Sequence, residues 1–230
     1  MPCGTGDEMG FVQRLQTALL GQCLAPWLRK GSAWLDINCG EGLFLPLLLQ
    51  HGCNAEATEA DPAARALAHK LTGGSVDIAA AAGERLPYAD NYFDYAVLHL
   101  EAHAVSPLTD ALEEMARVAE RGIAVTFWNT SSLGAMGDFG GLAPQSMSWG
   151  SVRAALKALG KGRVYSGSTL CLPPSTWRDS AVLANCNALC GALPVGAWMV
   201  AWIDFKPRQT GTPLTLRLPF ARTGETAMNQ

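Results

Sequence analysis

An early segment of the chain has the residue types of a nucleotide-binding turn. Leu35-Asp36-Ile37-Asn38-Cys39-Gly40-Glu41-Gly42 leads from an apolar run into a glycine turn and then into a second apolar run with helical character. Such a turn presents backbone N–H groups at the carboxyl end of a strand. Glycines let a ligand approach that backbone, and a following helix N-terminus favours an anionic group. About twenty residues later Asp61 ends the next apolar stretch, where a carboxylate can accept hydrogen bonds from both hydroxyls of a ribose. Glu59 competes for that role, because period-two alternation puts it on the same side as Asp61. Taken singly, Asp36 could cap a turn and Asp61 could be a helix N-cap. Together, the turn and the acid point to a cofactor that contains adenosine.

Other residues could act on a substrate. His99, Glu101 and His103 alternate just beyond an apolar strand. Histidine titrates near neutrality, so His99 and His103 are candidate general bases. A metal is not expected there, since zinc wants a better-defined ligand set. Cys186 and Cys190 share a helical spacing but lack further ligands nearby. Trp128 and Asn129 close another apolar run, just ahead of the Gly- and Ser-rich stretch 130–145. That position, at the carboxyl edge of a sheet, makes them candidates for substrate contact.

The elements that would position these residues alternate between strand and helix. Helical spacing covers 8–29, with Val12, Leu15, Leu19 and Cys23 on one side. Strands are expected at 33–37, 55–60, 76–80, 92–98, 123–128, 164–172 and 197–205. Helices are expected at 43–50, 61–71, 107–119, 152–159 and 176–189. This order predicts an α/β fold with a parallel sheet covered on both faces. An N-terminal helical segment (1–31) would pack on a core domain (32–206), followed by an irregular tail (207–230).

Composition narrows the partners. Of 230 residues, 49% are hydrophobic and 16% charged, enough for one domain with a large core. The net charge is -3 and the densest basic cluster is only Arg29-Lys30, so nucleic acid is not expected as a partner. The seven scattered cysteines read as reduced thiols in the cytoplasm. Asp7 and Glu8 precede the first apolar residues, unlike a signal peptide. The apolar stretch 192–205 is interrupted by Pro194 and Gly196 and is too short for a membrane span.

The turn resembles motif I of class I S-adenosylmethionine-dependent methyltransferases, usually written LDxGxGxG, where a Cys often stands at the position of Cys39. Glu59-Ala60-Asp61-Pro62 resembles the end of that family's second strand. The run from Glu84 to Asp94, Glu-Arg-Leu-Pro-Tyr-Ala-Asp-Asn-Tyr-Phe-Asp, is similar to its AExLPFxDxxFD signature. Glu114-Met115-Ala116-Arg117-Val118 is similar to its E-x-x-RV helix. The likeness covers 32–129 and is nearest in kind to the small-molecule type 11 group.

The resemblance implies a Rossmann-like, doubly wound, seven-stranded and mostly parallel sheet, its last strand antiparallel, with helices on both faces. It implies S-adenosyl-L-methionine as cofactor and methyl transfer to a small-molecule or lipid-like acceptor by in-line displacement. Asp36 would orient the cofactor's ammonium, and Asn38, Cys39, Gly40 and Gly42 would line its methionine part. Asp61, followed by the family's Pro62, would bind the ribose. Ala82, Gly83 and Glu84 would lie against the adenine, while His99 and Leu100 would face the sulfonium and the substrate.

Two positions depart from the pattern. Asn38 stands for the first glycine, and asparagine tolerates left-handed backbone better than other side chains. Ala82 stands where an Asp often accepts a bond from the adenine amino group, which removes about 0.5–1.5 kcal/mol of binding. These departures leave a catalytically silent cofactor-binding protein of the same fold as an alternative. A nicotinamide-dependent oxidoreductase is a third reading, opposed by the Glu84-to-Asp94 signature and the lack of a Tyr-Lys pair.

Overall fold

Alternation in the short apolar strands sorts their side chains onto two faces of one sheet. In β1 (Ala33–Ile37), Trp34 lies in one core cluster while Leu35 and Ile37 lie in the other. The computed structural model describes residues 6–100, 107–132, 146–173, 176 and 193–205. The expected helix at 176–189, the tail and most of the Gly-rich stretch lie outside them.

The remaining elements are α1 (Gly6–Leu24), α2 (Leu45–Gln50), β2 (Asn54–Thr58), α3 (Pro62–Leu71), β3 (Asp77–Ala79), β4 (Phe93–His99), α4 (Leu108–Val118), β5 (Ala119–Asn129), β6 (Ser146–Met147), α5 (Trp149–Ala158), β7 (Val164–Thr169) and β8 (Trp198–Asp204). The strand order is β3-β2-β1-β4-β5-β8-β7, with β6 paired to β5. Only β8 is reversed: it runs antiparallel to both β5 and β7, and every other pairing is parallel. This is the doubly wound, mostly parallel sheet that the sequence predicts, with one short strand, β6, added.

Helices cover both faces. On one face, Leu20 and Leu24 of α1, Leu45 and Leu48 of α2 and Ala68 of α3 pack with Trp34, Tyr95, Val97, Ala124, Trp198 and Val200. On the other, Leu112 and Met115 of α4 and Val152 and Leu156 of α5 pack with Ile37, Leu98, Val125, Phe127 and Met199. Each such aliphatic side chain contributes roughly 1.5–3 kcal/mol on full burial.

Some boundaries differ from the sequence expectation for physical reasons. α1 stops at Leu24 rather than near 29, because Pro26 disfavours helical backbone before it and Trp27 N–H closes a turn on Leu24 O at 2.8 Å. β5 begins at Ala119, directly after α4, and not at 123. Its first residues pair with β4 around a bulge, in which Glu120 and Arg121 stand opposite Asp94. Asp94 accepts from Ala33 N at 2.9 Å and lies 3.0 Å from Arg121 Nε, which ties the starts of β1, β4 and β5 together.

The chain winds outward from β1 to β3 and then crosses back to β4. The strand order therefore reverses between β1 and β4, and the crevice beyond their carboxyl ends is where ligands bind in open α/β sheets.

Candidate functional site

At that crevice β1 delivers Asp36 and then the turn. Asp36 is fully buried on the face shared with Trp34. Its Oδ1 lies 3.0 Å from His99 Nε2, a close polar contact out of line for a full hydrogen bond. Its Oδ2 has no hydrogen-bond donor among the described residues. A buried carboxylate oxygen without a donor is costly, and such groups mark functional sites.

The turn uses left-handed backbone at Asn38 (φ 55°), Gly40 (φ 56°) and Gly42 (φ 85°). Its two glycines serve different ends. A Cβ at Gly40 would meet nothing within 4 Å, so that side of the turn is open. A Cβ at Gly42 would stand 3.1 Å from Ala68 Cβ and 3.2 Å from Leu45 Cδ1. Gly42, expected to line a ligand, lets α3 pack against the turn. Cys39 is buried, its amide donating to Thr58 O at 3.1 Å. Burial pushes its thiol up, and the charges of Asp36 and Glu59 push it further.

The two acids after β2 separate cleanly. Asp61 is the N-cap of α3: Ala63 N donates to Oδ1 at 3.1 Å and Ala64 N to Oδ2 at 3.3 Å, with Pro62 as the first helical residue. The acid that reaches the turn is Glu59, which is fully buried. Its Oε2 accepts from Gly40 N at 2.7 Å and its Oε1 from Asp61 N at 2.8 Å. Asp61, expected at the ribose, has its carboxylate turned into the helix, and Glu59 holds the position beside the turn. Asp-Pro marks a helix start as well as it marks the family's strand end.

The end of β4 supplies His99, which is 4% exposed. Its Nδ1 lies 2.7 Å from Thr126 Oγ1 of β5, and its ring stacks on Phe44 at 4.6 Å. Phe44 stacks in turn near Trp198 of β8, at 5.9 Å. Both ring nitrogens thus face protein groups. His103 and Glu101 lie outside the described residues. Leu100 is buried, its amide bonded to Thr126 O at 3.0 Å. Thr126 and Phe44 escaped the sequence reading. The signal for Thr126 is its parity in β5, two residues before Trp128.

Gly83 is buried over the ends of β1 and β4, where a Cβ would sit 3.4 Å from Ile37 Cγ2 and 3.5 Å from Leu98 Cδ1. Ala82 is exposed beside it, Glu84 is partly exposed, and a turn from Arg85 N to Ala82 O at 3.2 Å shapes the segment. The segment is held from α4. Arg117 binds Glu114 in bidentate fashion (2.8 Å twice), and donates to Tyr88 O at 2.7 Å, Leu86 O at 3.2 Å and Asp90 Oδ1 at 2.9 Å. Glu114 also accepts from Leu86 N at 3.2 Å. The Leu-Pro-Tyr-Ala-Asp run and the Glu-x-x-Arg helix are two halves of one clasp. The Arg117 bonds hold the Glu114 carboxyl below its usual range.

Trp128 and Asn129, the candidates for substrate contact, both have structural work. Trp128 is 2% exposed in the core. The Asn129 amide donates to Pro194 O (3.4 Å) and Gly196 O (3.3 Å), and its oxygen accepts from Ser131 N (3.1 Å) and Trp149 N (3.2 Å). All four hydrogen-bonding positions of the side chain are used within the protein. Among the described residues no group of His, Cys, Asp or Glu is arranged to hold a metal ion. No described helix is long and apolar enough to cross a membrane.

This strand order, with one reversed strand and a glycine turn at the switch point, defines the class I S-adenosylmethionine-dependent methyltransferase fold. Residues 35–126 match the family described as a methyltransferase domain. No curated protein matches the sequence. Solved structures share the fold at low identity. A Thermotoga maritima S-adenosylmethionine-dependent methyltransferase, a possible histamine N-methyltransferase, aligns with a TM-score of 0.62 at 19% identity over 85% of this chain and 92% of its own. An Aquifex aeolicus S-adenosylmethionine-dependent methyltransferase gives 0.58 at 19% identity, over 88% and 100%. Magnesium protoporphyrin IX methyltransferase of Synechocystis PCC 6803, with bound SAH, gives 0.57 at 14% identity over 90% of each chain.

Proposed function

We propose that the chain is a cytoplasmic enzyme that binds S-adenosyl-L-methionine beyond the carboxyl ends of β1, β2 and β4 and methylates a small-molecule or lipid-like acceptor. One observation carries the reading: Asp36 is buried at the switch point with an oxygen that no described donor serves, next to a turn whose Gly40 side is open. An ammonium is the group that such an oxygen lacks. The donor set therefore fits the cofactor. Asp36 Oδ2 would take the ammonium and the 38–40 turn the methionine part. Glu59 would take the ribose, and Gly83 with Ala82 and Glu84 would lie against the adenine.

The cofactor supplies a methyl group made electrophilic by its sulfonium. The protein's task is then to align a nucleophile in line with that bond and to exclude water. No nucleophilic triad is needed. The buried Asp36–His99 pair keeps one end of the site dry.

Calorimetric titration tests the binding step. The protein should bind S-adenosylmethionine and S-adenosylhomocysteine and should not bind NAD. Formation of S-adenosylhomocysteine with fractionated small-molecule and lipid extracts then tests transfer. Binding of NAD in place of the sulfonium cofactor would reverse the reading. Binding without turnover on any fraction would favour a silent binding protein.

A further inference from the structure

Asp36, His99 and Thr126 come from three adjacent strands, β1, β4 and β5, and point to the same face of the sheet. The pairing explains this: Asp36 stands beside Val97, two residues before His99, and His99 stands beside Thr126. All three are nearly or fully buried. Thr126 Oγ1 lies 2.7 Å from His99 Nδ1, and His99 Nε2 lies 3.0 Å from Asp36 Oδ1. When the threonine hydroxyl donates to Nδ1, the ring proton sits on Nε2 and is presented to Asp36. Phe44, stacked on the ring at an interplanar angle of 18°, fixes its plane.

We infer that His99 is a positioning residue, not a base: Thr126 sets its tautomer, and its Nε2–H, 3.0 Å from Asp36 Oδ1 though out of line for a full hydrogen bond, attracts that oxygen electrostatically, so that Oδ2 is left to receive the ammonium of the cofactor. The inference rests on the proposed binding of S-adenosylmethionine at Asp36. The restraint is selective. It acts on the carboxylate that meets the amino-acid part of the cofactor, while the adenosine part is met by Glu59 and the Gly83 segment. A loss at His99 should therefore be felt by ligands that carry the ammonium and not by ligands that lack it.

The experiment compares S-adenosylhomocysteine with 5′-methylthioadenosine, which has the adenosine and thioether but no amino-acid group, by calorimetry on the purified chain. His99→Leu should weaken S-adenosylhomocysteine binding about tenfold while leaving 5′-methylthioadenosine unchanged. His99→Gln, whose amide can donate toward Asp36, should recover part of that loss. Thr126→Val, a smaller change, should shift binding in the same direction and with the same selectivity. If His99→Leu does not fold, Thr126→Val decides alone. Equal weakening of both ligands would mean a merely structural histidine and would overturn the inference. So would unchanged S-adenosylhomocysteine binding. Failure of the wild-type chain to bind either ligand would instead remove the proposed function, and the inference with it.

Discussion

Glu59 Oε2 accepts the amide of Gly40 at 2.7 Å across a separation of nineteen residues. The same carboxylate takes the Asp61 amide with its other oxygen. One side chain thus fixes the distance between the glycine turn after β1 and the start of α3, which are the two edges of the crevice.

From this arrangement, Glu59→Gln should weaken S-adenosylmethionine binding by about tenfold or more, since an amide offers one acceptor where two N–H groups now converge. Asp61→Ala should behave differently. Removing the cap costs about 0.5–2 kcal/mol of stability, and cofactor affinity should stay within about threefold of wild type. Calorimetry and thermal unfolding on both variants separate the two effects. The opposite pattern would return the ribose to Asp61.

The two glycines of the turn should also part company. Gly40→Ala, at φ 56°, should cost about 1–2 kcal/mol in backbone strain and place a methyl group on the open side of the turn. Its effect should show in cofactor affinity. Gly42→Ala adds a clash with Ala68 and should lower the melting temperature more. Adding Ala68→Gly removes the facing methyl group. That double variant should be less destabilised than the sum of its single changes, as read by thermal denaturation.

The winding order and the switch point were legible because each strand is a short apolar run separated by turn residues, and Asp36 follows directly from where β1 ends. The acids were harder. Both Glu59 and Asp61 fall on one parity, and the choice between them depends on α3 starting at Pro62, so that Asp61 is drawn into a cap. His99 was visible as a polar residue past a buried strand, but its partners were not. That Thr126 meets it is a matter of register between β4 and β5, which periodicity within either strand does not encode. Trp128 and Asn129 show the reverse problem. Their place at the carboxyl edge looked available for ligand until β6, β8 and the start of α5 used their surfaces.

The Arg117 clasp should respond to both mutation and acid. Arg117→Lys loses the bidentate geometry and the bonds to Tyr88 O and Leu86 O, and should destabilise the chain by about 1–3 kcal/mol. Glu114 has its folded-state carboxyl depressed below its unfolded value. The stability it contributes is therefore present above the unfolded carboxylate range and is lost as pH falls through the depressed folded value. Unfolding curves at neutral and strongly acid pH should show the difference between wild type and Glu114→Gln shrinking as the pH falls.

Alkylation should discriminate among the thiols. Burial raises the Cys23 thiol from 9.0 to about 12 and pushes Cys39 higher still. At pH 8 the thiolate fraction of Cys23 is about a thousandfold below that of an unshifted cysteine. Mass spectrometry after brief iodoacetamide treatment of the folded protein should find both residues unmodified, and modified once denaturant is added. Rapid labelling of Cys39 in the folded chain would contradict its place under the turn.

No residue separates α4 from β5: Val118 ends the helix and Ala119 begins the strand. A joint without slack passes on any displacement. Arg117, one residue before the helix ends, grips the segment that runs past Gly83, and Thr126 stands seven residues beyond the junction against His99. Arg117 and Thr126, which touch opposite ends of the crevice, are thus joined by one uninterrupted length of helix and strand, so a displacement of the Gly83 segment and one at His99 share a single covalent route.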